Sequence, residues 1–310
     1  MIETVVKAPL PVGEALVIQK NRITGKKEKG HRLAIVTGTH GDELEGQYVA
    51  WQLARVLKEK QESLLGTVDI YPALNPLGIS TIYRGLPGFD LDMNRIFPGS
   101  RNETMYEYIA NGIMRDIKGA DLCIDIHASN IFLREIPQVR INEITAEKLV
   151  PLAKLLNMDF IWVHSAATVL ESTLAYSLNA IGTPTLVVEM GVGMRITQSY
   201  GDQLINGILS VMAHLGMLKS PAPVVKQPVV STDGSVAFIN AGASGFFMPQ
   251  VMHGDYVKKG QLVGFIADSL NGVTKEELFS PVDGMVFTLR DYPVVKEGSL
   301  IARILGGIES

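Results

Sequence analysis

Apolar positions along the first two-thirds of the chain fall into short continuous runs separated by longer stretches with helical spacing. Residues 3 to 20 alternate loosely and include two prolines, which predicts edge strands or an extended lead-in. His31 to Gly38 reads as a short buried strand ending in a glycine turn. Asp42 with Glu45 three residues on forms a capping-box pattern, so a helix is predicted from there to about Lys60. It would carry Leu44, Tyr48, Trp51 and the Val56/Leu57 pair along one side. Val68 to Leu74 is a second strand closed by Asn75-Pro76, and residues 78 to 101 form a glycine-, proline- and arginine-rich stretch without periodicity. Helices are predicted over 103–117, 143–157, 171–181 and about 199–218, with strands at 121–127, 160–163 and 185–189. Alternating strands and helices imply a mostly parallel sheet with helices on both faces.

The pattern changes after Lys219. Residues 220 to 228, with Pro221, Pro223 and Pro228, read as a linker, and short strand-like segments punctuated by glycines follow. The expected division is therefore an α/β unit over 1–225 and an all-β unit over 226–310. Within the latter, Gly254 to Gly264 and Pro281 to Val286 resemble the turn and partner strand of a biotinyl/lipoyl-like β-domain. The tight hairpin that presents a modified lysine in such carriers is missing, so Lys258 and Lys259 are read as ordinary surface lysines in a structural or site-shaping unit.

Composition narrows the classes. The chain has 310 residues, 46% apolar and 19% charged, which suits a globular protein with a sizeable core. Its net charge of −4 and lack of a basic stripe argue against a nucleic-acid partner. No uncharged apolar stretch reaches the roughly 18 residues of a membrane span, and the N-terminus lacks a signal-peptide pattern. Cys123 is the single cysteine, which excludes an intramolecular disulfide and points to a reducing, cytoplasmic location. Flanked by apolar strand residues, it reads as a core thiol.

The chemistry gathers at predicted strand ends. His40 and Glu43 place an imidazole and a carboxylate three residues apart, where a strand gives way to a helix. A catalytic zinc takes three such ligands and keeps one position open. His-x-x-Glu alone is common by chance, and both residues could simply be solvated. His127 adds weight because it ends the apolar strand 122–126, and ligands gather at the carboxyl ends of strands in α/β sheets. Asp125, on the same strand face, could orient that imidazole. Glu189 ends another strand, where a carboxylate can relay a proton from water to a leaving nitrogen. Asn94 and Arg95, in the aperiodic stretch, could clamp a substrate carboxylate, and Arg84 could do the same or brace an oxyanion.

Gly38 to Glu43, Asp92 to Gly99, Asp125 to His127 and Val188-Glu189, in this order, resemble the motifs of the succinylglutamate desuccinylase/aspartoacylase family, a branch of the zinc carboxypeptidase-like hydrolases. The similarity spans about residues 30 to 220, and the C-terminal β region resembles the family's usual appendage. The resemblance implies an α/β fold: a zinc carboxypeptidase-like mixed, mostly parallel sheet flanked by helices, with a small C-terminal all-β domain. It implies His40, Glu43 and His127 as ligands of one zinc ion per chain, and Glu189 as general base and acid. Asn94 and Arg95 match the pair that holds a substrate carboxylate, and Arg84 is the nearest match to the arginine that polarises the scissile carbonyl. Aspartoacylase members also use a tyrosine from the C-terminal domain, for which Tyr256 and Tyr292 both stay open. The expected activity is hydrolysis of the amide of a small N-acylated amino acid or related amine. A metallocarboxypeptidase acting on peptides and a non-catalytic metal- or ligand-binding protein remain rivals, and a homo-oligomeric state is left open.

Overall fold

In the computed structural model, which describes residues 1–26, 30–165 and 171–307, the short apolar runs become strands of a mixed sheet. β1 (Ile2–Pro9) and β2 (Ala15–Thr24) form an antiparallel hairpin at one edge, as their loose alternation predicted. β3 (Arg32–Thr37), α1 (Glu45–Glu59) and β4 (Thr67–Tyr71) form a unit in which the two strands run parallel. The aperiodic stretch that follows contains the short α2 (Pro76–Thr81) and a 3-10 turn at Met93–Arg95. α3 (Met105–Ile117) starts at a Thr104/Glu107 capping box and leads to β5 (Leu122–His127). Next come β6 (Leu133–Asn142), α4 (Ala146–Ala153), β7 (Phe160–His164), α5 (Leu174–Ala180), β8 (Thr185–Gly191) and α6 (Gln198–His214).

Among the described residues after α6 the chain forms strands, turns and one short 3-10 turn at Asp233–Ser235, as the glycine spacing predicted. β9 (Val229–Thr232) adds to β7 in parallel. β10 (Val236–Asn240), β11 (Gly245–Pro249), β12 (Tyr256–Val257), β13 (Leu262–Asp268), β14 (Val273–Phe279), β15 (Gly284–Arg290), β16 (Val294–Val295) and β17 (Leu300–Gly306) pair antiparallel throughout. β14-β13-β11-β16 make a separate four-stranded sheet. β15 instead hydrogen-bonds to β6, so the large sheet reads β1-β2-β4-β3-β5-β8-β6-β15-β17-β10 across its width. The C-terminal region thereby extends the sheet that carries the predicted site residues.

Period-2 alternation sorts the central strands between two apolar layers. Leu122, Ile124 and Ile126 of β5, with Leu186, Val188 and Met190 of β8, pack into the layer shared with α1 and α6. Cys123 faces the other layer, built with α3 and α5, and Asp125 and His127 continue along that face. Burial, then Asp125, pushes the Cys123 thiol far up, so it is a neutral core group, as expected. Among the described residues no helix is long and apolar enough to cross a membrane.

Four features differ from the expectation. α1 is not capped by Asp42: its N-cap is Leu44 without a side-chain bond, and Glu45 is buried, accepting from the Thr197 amide at 2.7 Å. Its buried face is Glu45, Gly46, Val49, Ala50, Leu53 and Leu57, while Trp51 is 55% exposed. The helix turns that way because Gly46 lies against Thr37, where a Cβ would come within 1.8 Å of the hydroxyl. The predicted helix over 143–157 is a 3-10 turn followed by α4, which ends at Ala153 beyond Pro151. β6, ten residues long, was not predicted.

Candidate metal centre and active site

The loop after β3 is forced into shape by its glycines. Gly38 has φ +66, and a Cβ on Gly41 would come within 2.0 Å of the Gly78 carbonyl carbon. The chain can therefore turn tightly against α2, and this brings His40 and Glu43 side by side. Their Nδ1 and Oε1 atoms are 2.8 Å apart, and His127 Nδ1 lies 2.9 Å from Glu43 Oε2. All three side chains are buried, and one donor atom from each falls within 4.8 Å of the others.

Both imidazoles turn Nδ1 inward and Nε2 outward onto a carboxylate. His40 Nε2 meets Asp92 Oδ1 at 3.0 Å, and His127 Nε2 is 3.2 Å from Asp125 Oδ2. Burial pushes the Glu43 carboxyl up, but His40 and His127 overcome it and hold the group well below the usual range. Burial pushes the imidazoles down, yet Glu43 with Asp92 raises His40, and Asp125 with Glu43 raises His127 further. The cluster thus stabilises positive charge at its centre. Two imidazole nitrogens, each backed by an outer carboxylate, and one carboxylate oxygen, held by the Arg84 guanidinium and the Ala128 amide, are a donor set that fits zinc. Asp125 is wholly buried and neither carboxylate oxygen has a hydrogen bond of normal geometry, so its charge is committed to His127.

A cavity of about 940 Å³ opens beside the cluster, and Arg84, Asn94, Arg95 and Glu189 all line it. Arg84 donates from Nη1 to Glu43 Oε1 at 2.6 Å, and its Nη2 lies 3.2 Å from His40 Nε2. Asn94 accepts the Leu174 amide at 2.9 Å, which ties the 3-10 turn to the start of α5. Arg95 donates to the Asn94 carbonyl at 2.8 Å and keeps its guanidinium exposed. Glu189 is carried opposite His127 by the parallel β5–β8 register. Burial raises its carboxyl to about 7; Arg140 and His127 pull against that, whereas Glu135 and Glu43 add to it.

Glu135 and Arg140 of β6, His164 of β7 and Arg303 of β17 supply the far wall of the cavity, for which the sequence carries no local signal. Burial, then Arg140, pushes His164 down to about 4, leaving it neutral near pH 7. Neither C-terminal tyrosine lines the cavity: Tyr292 packs edge-on against Phe132 and Tyr256 is 44% exposed beside Met285. Tyr176 of α5 lines it instead.

Residues 29–215 match the family model described as the succinylglutamate desuccinylase/aspartoacylase catalytic domain. The chain is 24% identical over 293 residues to an N-alpha-acetyl-L-2,4-diaminobutyric acid deacetylase of Halomonas elongata, covering 92% of this chain and 85% of that protein. Among solved structures it is similar to a succinylglutamate desuccinylase/aspartoacylase of Rhodobacter sphaeroides, with TM-score 0.83, 22% identity, and 98% and 95% of the two chains covered. The product-bound ectoine utilization protein EutE (DoeB) of Ruegeria pomeroyi gives TM-score 0.84 at 22% identity, over 98% and 95% of the two chains.

Proposed function

Because the chain belongs to the succinylglutamate desuccinylase/aspartoacylase family, and is accordingly a zinc-dependent amidohydrolase of small N-acylated substrates, we propose that His40, Glu43 and His127 hold the zinc and that Glu189 moves the proton. The observation that carries this reading is the convergence of the three buried donors on the cavity wall, with Glu189 one strand away. Zinc held there supplies Lewis acidity, lowering the pKa of water and drawing electron density from a carbonyl.

The chain's own groups do the rest. Glu189, partly buried and with a carboxyl balanced near neutrality, accepts a proton from the attacking water. It returns the proton to the amide nitrogen as the C–N bond breaks, leaving a carboxylate and a free amine. Arg84 faces the negative charge that develops on the carbonyl oxygen. Arg95, with an exposed guanidinium, and Asn94 hold a carboxylate of the substrate. The diaminobutyrate derivative named for the Halomonas relative is a first substrate to test, and the acyl group is to be found by comparison.

The test is amine release from a panel of N-acetyl, N-succinyl and N-formyl amino acids and diamines, N-α-acetyl-L-2,4-diaminobutyric acid included. At least one should turn over, and Glu189→Gln should nearly abolish turnover while zinc stays bound. Near-normal activity of that variant would refute the assignment of Glu189.

A further inference from the structure

Glu135, Arg140 and Arg303 have no role in the chemistry above, yet they form a buried ionic relay that ends on Glu189. Glu135 is fully buried. Arg140 grips both its carboxylate oxygens through Nη2, at 2.8 and 2.7 Å. Nη1 of the same guanidinium donates to Glu189 Oε1 at 3.2 Å, so one side chain bridges the two carboxylates. On the far side Arg303 donates to Glu135 Oε1 at 2.7 Å, and the Thr288 hydroxyl adds a contact at 3.3 Å. The Trp162 ring lies 5.6 Å from Arg140 and 5.3 Å from Arg303, and its indole N–H is anchored on Asp233 at 2.8 Å.

These residues stand on four neighbouring strands: Glu189 on β8, Glu135 and Arg140 on β6, Thr288 on β15 and Arg303 on β17. The last two belong to the C-terminal all-β region. A buried carboxylate held by one guanidinium alone would draw that guanidinium wholly to itself. With Arg303 sharing Glu135, Arg140 can divide its donors between Glu135 and Glu189.

We propose that Glu135, Arg140 and Arg303 are positioning residues, through which the C-terminal β region fixes the Glu189 carboxylate in its working orientation. The inference rests on the reading of Glu189 as the proton carrier. The relay touches Glu189 and not the reacting atoms, so its loss lowers turnover without weakening substrate binding. Removing Arg303 lets Arg140 retreat onto Glu135; neutralising Glu135 lets Arg140 swing fully onto Glu189.

The experiment uses the zinc-loaded full chain and the N-acyl amino acid of the panel that it turns over fastest. Arg303→Met, Arg303→Lys, Glu135→Gln and the Arg303→Met/Glu135→Gln double variant are compared for kcat, KM and zinc content. Arg303→Met and Glu135→Gln should each lower kcat by about 10- to 100-fold, the scale of a misplaced catalytic group, with KM within about twofold and zinc content unchanged. Arg303→Lys should fall between Arg303→Met and wild type. The double variant should lose less than the product of the single losses, because the two side chains act along one path. Should Arg303→Met not fold, the isosteric Glu135→Gln and the charge-conserving Arg303→Lys give the same reading. Wild-type kcat in both of these, beside an inactive Glu189→Gln, overturns the relay and leaves the role of Glu189 standing. A rise in KM alone, confined to substrates with an anionic group, overturns it in favour of direct substrate binding. An active Glu189→Gln removes the premise itself.

Discussion

Replacing Asp125 with asparagine keeps the shape of the side chain and removes its charge from behind His127. Asp125 is wholly buried and 3.2 Å from His127 Nε2, and it has no other ionic partner among the described residues. Nothing else is lost with the charge, so the effect should fall on the imidazole. A carboxylate behind a ligand imidazole fixes its ring and raises its basicity, and losing such a partner weakens metal binding by about 10- to 100-fold. That corresponds to about 1.4–2.7 kcal/mol. The assay is competition for zinc against a chelator of known affinity, supported by thermal melts at fixed free zinc. At free zinc of about 100 times Kd, the metal stabilises the wild-type fold by about 2.7 kcal/mol. After a hundredfold loss of affinity the same free zinc contributes only about 0.4 kcal/mol, so the zinc-induced rise in Tm should nearly vanish. A variant Kd within twofold of wild type would show that Asp125 does not support His127 as a ligand.

Further outcomes are expected elsewhere in the molecule. Gly41→Ala forces a Cβ to within 2.0 Å of the Gly78 backbone, so it should cost about 1–3 kcal/mol in denaturant melts and release zinc more readily. Unchanged stability and zinc affinity would mean that the loop has room to give. Leu53→Ala, at a fully buried position of α1, should cost about 2–5 kcal/mol, whereas Trp51→Ala, two residues earlier and exposed, should cost no more than about 1 kcal/mol. The reverse order would contradict the observed helix face. Asp69 is buried, which pushes its carboxyl up, but its hydrogen bond with Arg22 and the charges of Lys20, Arg22 and Arg32 hold it below the usual range. The unfolded chain therefore binds this proton first, so the stabilisation is present above about pH 4 and is lost as pH falls through the folded value. Asp69→Asn removes one carboxylate from Lys20, Arg22 and Arg32 while leaving them Asp116, Glu3 and backbone carbonyls, so it should lower stability by about 1–3 kcal/mol at pH 7 and flatten the acid limb of the stability profile.

The part of the candidate site that is legible in the sequence is the part that sits at strand ends. His40, Glu43, His127 and Glu189 each follow or close an apolar run, and the parallel β3-β5-β8 arrangement then brings them together. The opposite wall was hidden for a physical reason. β6 places charged Glu135 and Arg140 on a buried face, contains Pro137, and slips register between Glu135 and Gln138, so it shows no clean period of two. Arg303, the ionic partner of Glu135, lies 168 residues further along the chain, and no local pattern reports such a pairing. The buried face of α1 is hidden from hydropathy for a related reason. Its buried side includes Glu45 and Gly46, chosen for a hydrogen bond and a close approach, while the larger Trp51 stays outside. Hydropathy registers burial of apolar bulk; it does not register a charge satisfied inside the fold.

The zinc site itself is tested most directly by elemental analysis of the purified chain and of His40→Ala, Glu43→Ala and His127→Ala after exposure to equal free zinc and removal of loosely held ions. Wild type should retain about one zinc ion per chain, as a three-ligand catalytic site requires, and each variant should retain little. Stoichiometric zinc in all three variants, or none in wild type, would contradict the account.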